Sequence, residues 1–260
     1  MYNKSDILYT TKHNNGPPGR YKLKGRLNMP KSTPLSGRLD CLGWTAQAFK
    51  GERVQTVSKD IILSVSKGNA KMGGIPSISL PAVVTCRKGA PCARKCYAAK
   101  LERIRPNVKA AYQRNLDLWA HDPAAFEAQA IAAAMPHRYF RWHVSGDIVG
   151  PSYLAMMVRV ANACPGTRFL CFTKRFELVN MYIKERGPLP ENLQILFSAW
   201  AGLDVPNPYN LPMTHVIYRD GSTTAPASHY VCGGNCTECL CQGVGCWQLK
   251  PGEHLAFYEH

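Results

Sequence analysis

The chain has few acidic residues and no long uncharged apolar run. Its 17 Asp and Glu residues stand against 32 Lys and Arg residues, which gives a formal net charge of +15. No apolar stretch approaches the length of a membrane-spanning helix. The opening residues, MYNKSDILYT, lack the basic and then apolar order of a secretory leader. We therefore expect a soluble, cytoplasmic protein with no membrane partner.

Two common catalytic motifs are also missing. No phosphate loop of the form GxxxxGK[ST] occurs, and MGGIPS at 72–77 has neither the lysine nor the spacing of one. No serine nucleophile elbow is present either. These absences disfavour nucleoside triphosphate hydrolysis and serine hydrolase chemistry.

The excess of positive charge favours a polyanionic partner. A strongly basic domain attracts nucleic acid because binding releases counterions, so we expect a nucleic acid or nucleotide substrate. Composition divides the chain into three parts. We expect a basic, Gly- and Pro-rich N-terminal arm at 1–53, a core at 54–225 and a cysteine-rich metal-binding segment at 226–260. Nothing in the pattern predicts the oligomeric state.

The core alternates between short apolar strands and helices. Strands are predicted at 139–147, 168–174, 192–200 and 214–220, and helices at 105–121, 122–135, 151–163 and 177–186. Earlier strands are predicted within 54–69 and at 78–85. Such alternation indicates an α/β fold with a parallel sheet, rolled into a partial or full (β/α) barrel.

Ligands of parallel α/β sheets bind at the carboxyl ends of the strands. The residues predicted to lie there are Cys86, Ser145, Gly146, Asp147, Thr173, Lys174, Arg175, Ser198, Ala199 and Trp200.

Eight of the eleven cysteines lie in two short clusters. In a reducing compartment this crowding favours metal binding over a disulfide framework. The predicted ligands are Cys86, Cys92 and Cys96 in the first cluster and Cys232, Cys236, Cys239 and Cys246 in the second, with Cys241 spare. The remaining Cys41, Cys164 and Cys171 are expected to be small core residues.

Three thiolates leave a metal centre incomplete. A four-iron cluster held by them would have one iron open to a substrate or cofactor, and a zinc ion would have a position for water. Alternatively, the three thiols join a C-terminal cysteine in one structural site. The spacing does not choose between iron–sulfur and zinc, or between one site and two.

Several other side chains have both a catalytic and a structural interpretation. His143 is an acid–base candidate or a buried structural histidine, and Asp147 is a catalytic carboxylate or a helix cap. Three tryptophans also have two interpretations, as residues that stack on bases or as residues that fill the core: Trp142, Trp200 and Trp247. The basic residues expected to lower thiol pKa values or hold phosphate are Arg87, Lys88, Arg94, Lys95 and Arg175, with Lys174 beside them.

In order along the chain, these motifs resemble the radical S-adenosylmethionine superfamily. ISLPAVVTC resembles its first strand and three-cysteine loop, FRWHVSGD its glycine–acid turn, and NLQILFSAW its fourth strand. The loop spacing here is C-x5-C-x3-C, whereas the superfamily has C-x3-C-x2-C. CRKGAPCARKCY, HVSGD and FTKR also look like an uncharacterised group of phage-encoded proteins, for which modification of nucleotides or DNA is a natural context.

The resemblance implies one or two 4Fe-4S clusters, S-adenosylmethionine and an electron donor. The open iron would bind S-adenosylmethionine and cleave it reductively, and the resulting radical would take hydrogen from a nucleotide or nucleic-acid base. The implied cofactor contacts are Tyr97, Ser145, Gly146, Asp147 and Ser198, and the catalytic candidates are Asp147, His143 and Lys174.

Two other functions fit the same residues. In the first, zinc stabilises the barrel and Asp147 acts as nucleophile or base in cleaving or exchanging a base N-glycosidic bond. In the second, the protein is a non-catalytic, metal-stapled nucleic-acid-binding protein whose arm and basic loop contact phosphates.

Overall fold

A computed structural model of the chain describes residues 61–259, and these belong to one compact unit. The predicted arm at 1–53, the strand pattern at 54–60 and Cys41 lie outside the described residues. None of the described helices is both long enough and apolar enough to cross a bilayer.

The core is a mixed α/β structure around one eight-stranded sheet. The strands are β1 (Val65–Ser66), β2 (Ser77–Ile78), β3 (Tyr139–Trp142), β4 (Arg168–Thr173), β5 (Leu193–Ser198), β6 (Met213–Ile217), β7 (Tyr230–Val231) and β8 (His254–Tyr258). Their order is β1-β2-β3-β4-β5-β6-β8-β7, and every adjacent pair except β1–β2 is parallel. The predicted α/β class and parallel sheet are confirmed. Among the described strands the order has two ends, β1 and β7, so a closed barrel is not observed.

Within residues 61–259, six α-helices connect or follow the strands. They are α1 (Tyr97–Ile104), α2 (Pro106–His121), α3 (Pro123–Ala134), α4 (Pro151–Ala163), α5 (Phe176–Arg186) and α6 (Cys236–Gln242). Proline occupies the first turn of α2, α3 and α4, where its missing N–H has no helical partner to lose. The Asp122 side chain caps α3 by accepting from the Ala125 N–H at 2.9 Å.

Three sheet elements differ from the sequence prediction. The strand predicted at 78–85 is paired only at Ser77–Ile78. Pro81 has no N–H to donate, and the chain turns after it, with the Thr85 hydroxyl donating to the Pro81 carbonyl at 2.7 Å. The other two are β7 at Tyr230–Val231 and β8 at His254–Tyr258, which were not predicted. Strand β8 lies between β6 and β7.

Side chains alternate along each strand, so the two faces of the sheet are covered by different residues. On β3, Phe140 and Trp142 pack into the core formed with the helices, whereas Tyr139 belongs to the opposite cluster. The opposite cluster also contains Leu240 and Trp247 from the cysteine-rich segment. Trp142 and Trp247 are buried, so they fill the two cores rather than a base-stacking surface.

Asn115 joins helix α2 to the first two strands. It is fully buried, its side-chain oxygen accepts from the Ser64 N–H at 2.7 Å, and its amide donates to the carbonyls of Ser64 and Ser79 at 2.9 and 3.0 Å. These three bonds satisfy backbone groups at the edge of β1 and after β2. The edge of the sheet is therefore held by a side chain as well as by strand pairing.

We predict that Asn115→Ala lowers the free energy of unfolding by about 3 kcal/mol, because it leaves buried backbone groups without partners. Urea unfolding followed by circular dichroism measures the loss. Gln113→Ala, at an exposed position of the same helix, is the control and should cost less than about 0.5 kcal/mol. Equal losses for the two variants would contradict this role for Asn115.

Candidate functional site

A cavity of about 830 Å³ lies against the sheet face opposite helices α2 to α5, toward the carboxyl ends of the strands. Its walls include the segment after β3, the end of β4, Ser198 at the end of β5, Trp200 after it, and the end of β8. The cysteine-rich segment closes another side. Its position agrees with the expectation that a ligand site lies where parallel strands end.

Seven cysteines line this cavity, and they are the seven predicted as metal ligands. They are Cys86, Cys92, Cys96, Cys232, Cys236, Cys239 and Cys246, all present as free thiols. Cys241 lies on α6 but is not part of the lining. Cys164 and Cys171 are buried in the helix-side core, as predicted. Folding thus brings two distant cysteine groups to one space.

The three-cysteine loop is a short irregular segment before α1. Cys86 follows the turn at Pro81, Cys92 lies in a 3₁₀ helix at Pro91–Lys95, and the Cys96 sulfur accepts from the Ala99 N–H at 3.5 Å at the start of α1. Burial raises the pKa of the Cys86 thiol to about 11, and the nearby Cys92 and Cys96 raise it further. Burial therefore outweighs any lowering of the Cys86 pKa by neighbouring cations, and the expected effect of those cations on the thiols stays a prediction.

The four-thiol group is built around α6. The Cys232 N–H donates to the Ala256 carbonyl of β8 at 2.8 Å, and the Cys236 N–H donates to the Lys71 carbonyl at 2.9 Å. Burial raises the pKa of Cys246 to about 12, and the charges of the other three thiols add to this shift. Three of these four cysteines, Cys232, Cys236 and Cys246, pack against the same apolar cluster of the sheet.

Close packing requires a glycine in the turn after β3. Gly146 has φ of +80°, and a Cβ added there would lie 2.6 Å from the Thr85 hydroxyl and 2.8 Å from the Leu80 carbonyl oxygen. The preceding Ser145 is buried and donates to Glu102 at 2.8 Å. Glu102 also accepts from the Ala82 N–H at 2.8 Å. The sequence interpretation missed Glu102, although an acid six residues beyond the third cysteine was a visible signal.

Asp147 joins the ends of β3 and β4. Its carboxylate accepts from the Thr173 hydroxyl at 2.6 Å, the Lys174 N–H at 2.9 Å and the Ile148 N–H at 2.8 Å. Burial raises the pKa of this carboxyl group, while the hydrogen bonds lower it. Because both carboxylate oxygens are engaged by the chain, the geometry favours a positioning role over that of a nucleophile.

The other predicted cofactor contacts also line the cavity. The Lys174 ammonium donates to the Ser198 hydroxyl at 2.9 Å and lies 5.9 Å from the centre of the Trp200 ring. The Tyr97 hydroxyl donates to the Val144 carbonyl at 2.7 Å, which joins the start of α1 to the turn after β3. Burial raises the pKa of Tyr97.

The predicted phosphate-binding cations have different environments. Arg87 pairs with Glu177 at 2.6 Å, and Lys95 pairs with Glu259 at 2.8 Å. Both line the cavity, but the predicted Lys88, Arg94 and Arg175 do not. The structure therefore does not gather the basic loop into one anion site.

His143 is buried at the end of β3 with φ of +59°. Its Nε2 lies 3.1 Å from the Tyr153 hydroxyl, and its Nδ1 lies 3.7 Å from the Cys171 sulfur. Burial lowers the pKa of His143 to about 3, and the charge of Arg141 lowers it further. The ring is therefore neutral at physiological pH, with both nitrogens facing side chains of the core.

The donor chemistry of the site is that of soft metals. Sets composed of thiolates suit zinc and iron–sulfur clusters. Among residues 61–259, no group of three or more His, Cys, Asp or Glu side chains is arranged around a single metal ion. The ligand sulfurs of a cluster bind different iron atoms and so lie farther apart than those of one ion. The free, cavity-facing thiols fit a cluster in number and kind.

The buried His143 generates a prediction about acid stability. Its pKa is near 6.5 in the unfolded chain and about 3 in the folded one, so between these values only the unfolded chain takes up the proton. This contribution to stability is present above pH 6.5 and is lost as the pH falls, by at most about 1.4 kcal/mol per pH unit. Unfolding free energies measured from pH 7 to 4 should therefore fall more steeply for the wild type than for His143→Asn.

Asparagine is the chosen replacement because it tolerates positive φ. His121→Asn, at the exposed end of α2, serves as the control and should follow the wild-type pH dependence. Parallel curves for wild type and His143→Asn would show that this histidine does not contribute.

Comparison with known proteins places the chain in a phage family. The model of the family GP88, Gene product 88, matches residues 52–217. The chain is 30% identical to the Gene 88 protein of Mycobacterium phage L5 and 29% identical to that of Mycobacterium phage D29, each over 146 residues. Each alignment covers 51% of this chain and 60% of the relative. No solved structure matches. Since the family model covers more than half of the chain, the protein belongs to the Gene product 88 family.

Proposed function

We propose that the protein is an iron–sulfur enzyme resembling radical S-adenosylmethionine enzymes, and that it modifies a nucleotide or nucleic-acid base. The observation that carries the proposal is the single cavity lined by three free thiols of one loop, four free thiols of a second segment and the Ser145–Asp147 turn. A thiol-rich cavity at the carboxyl ends of parallel strands combines a cluster-binding donor set with a substrate-sized space.

In this proposal Cys86, Cys92 and Cys96 hold a cluster with one open iron. These three cysteines would hold the cluster, and a bound cluster would supply the one-electron reduction of S-adenosylmethionine by an external donor, with release of methionine and transfer of a hydrogen atom from the substrate. The four thiols of the second group are sufficient to ligate an auxiliary 4Fe-4S cluster.

The chain's own residues would bind and orient the reactants. Ser145, Gly146 and Tyr97 form one wall beside the three-cysteine loop, and Ser198 and Lys174 form another. Asp147 keeps the ends of β3 and β4 together, so the two walls hold a fixed separation. Phe172 and Phe257 add apolar surface, which limits the access of water to a reactive species.

The substrate class follows from charge and context. A net charge of +15 favours a phosphate-bearing partner, and the relatives are phage proteins. The zinc-dependent alternative requires Asp147 to attack or deprotonate a substrate, and its hydrogen bonds to Thr173, Lys174 and Ile148 argue against that role.

We predict that the protein, purified and reconstituted without oxygen, is brown and contains roughly eight iron and eight sulfide per chain, as two 4Fe-4S clusters. Cys86→Ala/Cys92→Ala/Cys96→Ala should remove roughly half of both, because only one ligand group is lost. Absorbance spectra and chemical iron and sulfide analysis measure this. Cys164→Ala, in the core and away from the cavity, should retain the full content. A colourless protein with stoichiometric zinc and no sulfide would refute the proposal.

We also expect the reduced, reconstituted protein to release methionine from S-adenosylmethionine. The three-cysteine variant should release none, whereas Cys164→Ala should match the wild type. Chromatography of the products, with dithionite as the electron donor, provides the measurement. Release that persists in the three-cysteine variant would count against a role for this loop.

A further inference from the structure

Two cations in the cavity have no part in the roles described above. Arg141 comes from β3, on the sheet face opposite Phe140 and Trp142, and Lys71 comes from the segment between β1 and β2. Within residues 61–259, neither forms an ion pair with a carboxylate. Arg87 and Lys95, which also line the cavity, are each neutralised by a glutamate. The uncompensated positive charge of the cavity therefore includes Arg141 and Lys71.

The two cations lie over adjoining aromatic rings. Phe172 and Phe257 pack edge to face with their ring centres 5.8 Å apart. The Arg141 guanidinium carbon is 4.7 Å from the Phe172 centre, and the Lys71 ammonium is 5.2 Å from the Phe257 centre. Aromatic faces hold the cations in place without neutralising them. The result is a pair of fixed positive charges on one wall of the cavity.

The Arg141 side chain also has a hydrogen-bonding deficit. Its Nε is buried and has no acceptor among the described residues. A buried donor without a partner is unfavourable, and two cations on one wall repel each other. An oxyanion bound between them would relieve both, because it supplies acceptors for the guanidinium and opposite charge for both side chains.

We propose that Arg141 and Lys71 bind the phosphate group of a mononucleotide, and that the substrate of this cavity is therefore a nucleoside monophosphate. The inference rests on the proposed function and specifies its substrate. A phosphate monoester carries about −1.5 to −2 charges at pH 7, which matches two cations, whereas each phosphate of a polynucleotide carries about −1. The cavity volume of about 830 Å³ lies within the range of pockets for small organic ligands.

The pair lies near both groups of thiols. The backbone carbonyl of Lys71 accepts from the N–H of Cys236, which joins the segment that carries this cation to the four-thiol group. Burial raises the pKa of Cys236, and both cations oppose that rise. Burial also raises the pKa of Tyr97, which directly follows Cys96 of the three-cysteine loop, and Arg141 opposes that rise as well. Two other sources of negative charge compete with a substrate phosphate for this pair of cations. One is the carboxylate of S-adenosylmethionine bound at the open iron of the three-cysteine group. The other is the negative charge of a thiolate-bound cluster. The experiment separates these from a substrate phosphate.

The test uses the anaerobically reconstituted full chain and isothermal titration calorimetry. The probes are the ribo- and deoxyribonucleoside 5′-monophosphates, their nucleosides, inorganic phosphate, S-adenosylmethionine and a short single-stranded oligonucleotide without terminal phosphates. We expect at least one monophosphate to bind more tightly than its nucleoside and to be displaced by inorganic phosphate. Arg141→Gln and Lys71→Gln should each weaken that monophosphate about 10- to 100-fold and leave nucleoside binding unchanged.

Matched variants control for charge and folding. Arg138→Gln removes an exposed arginine that lies 5.6 Å from the Tyr139 ring centre and outside the cavity lining, and Lys67→Gln removes an exposed lysine. Both should bind like the wild type. Arg141→Lys keeps the charge but loses the planar fork, so it should fold and keep its iron while binding the monophosphate about tenfold more weakly.

Several results would overturn the inference. Among the probes, these are equal affinity for nucleosides and monophosphates, no binding of any monophosphate, or binding of the oligonucleotide alone. Among the variants, the contradicting result is that Arg141→Gln and Lys71→Gln lose only the binding of S-adenosylmethionine. If Arg141→Lys loses iron while its affinity for the monophosphate is unchanged, the two cations compensate the charge of the cluster, and this result would also overturn the inference. Iron and sulfide content measured on the same samples keeps the two proposals apart. Clusters without a phosphate preference refute only this inference, and a phosphate preference without clusters refutes only the proposed function.

Discussion

The alternation of side chains across the parallel sheet is the constraint on which the rest of the structure depends. Each strand must satisfy two environments, because consecutive residues point to opposite faces. On β3 this places Phe140 and Trp142 against the helices and leaves Tyr139 and Arg141 for the other side. The second face is covered partly by apolar residues of the cysteine-rich segment and partly by the cavity. A one-residue slip would exchange the two sets and destroy the core and the site together.

The same arrangement explains how a site can be built from distant parts of the chain. Parallel strands end at one edge, so the turn after β3 and the end of β4 are neighbours, and Asp147 fastens one to the other. The cysteine-rich segment returns to that edge because β8 inserts parallel to β6. Two groups of thiols therefore face one cavity, although the cysteines of each group are close in the sequence and the two groups are far apart along the chain.

Charge in the cavity is partly cancelled within the chain. Arg87 and Lys95 pair with glutamates, whereas Lys174 donates to a hydroxyl and lies near an aromatic ring, neither of which cancels its charge. Arg141 and Lys71 are held over rings without an acid. The family match ends at residue 217, before the four-thiol group begins. Strands β1 to β6, the three-cysteine loop and Arg141 thus lie within the part of the chain shared with the family, whereas β7, β8 and the second thiol group lie beyond it.

The sequence alone determined the helices from α2 to α5, the parallel strands between them and the identity of the seven cavity-lining cysteines, because these depend on local periodicity, capping and spacing. Only the tertiary structure decided that the 78–85 strand shortens at Pro81, that β8 joins the sheet and that both thiol groups face one cavity. It also decided that Arg87 and Lys95 form ion pairs, since their glutamate partners lie 90 and 164 residues away along the chain. Such contacts arise from chain crossovers and sheet order, which no short stretch of sequence encodes.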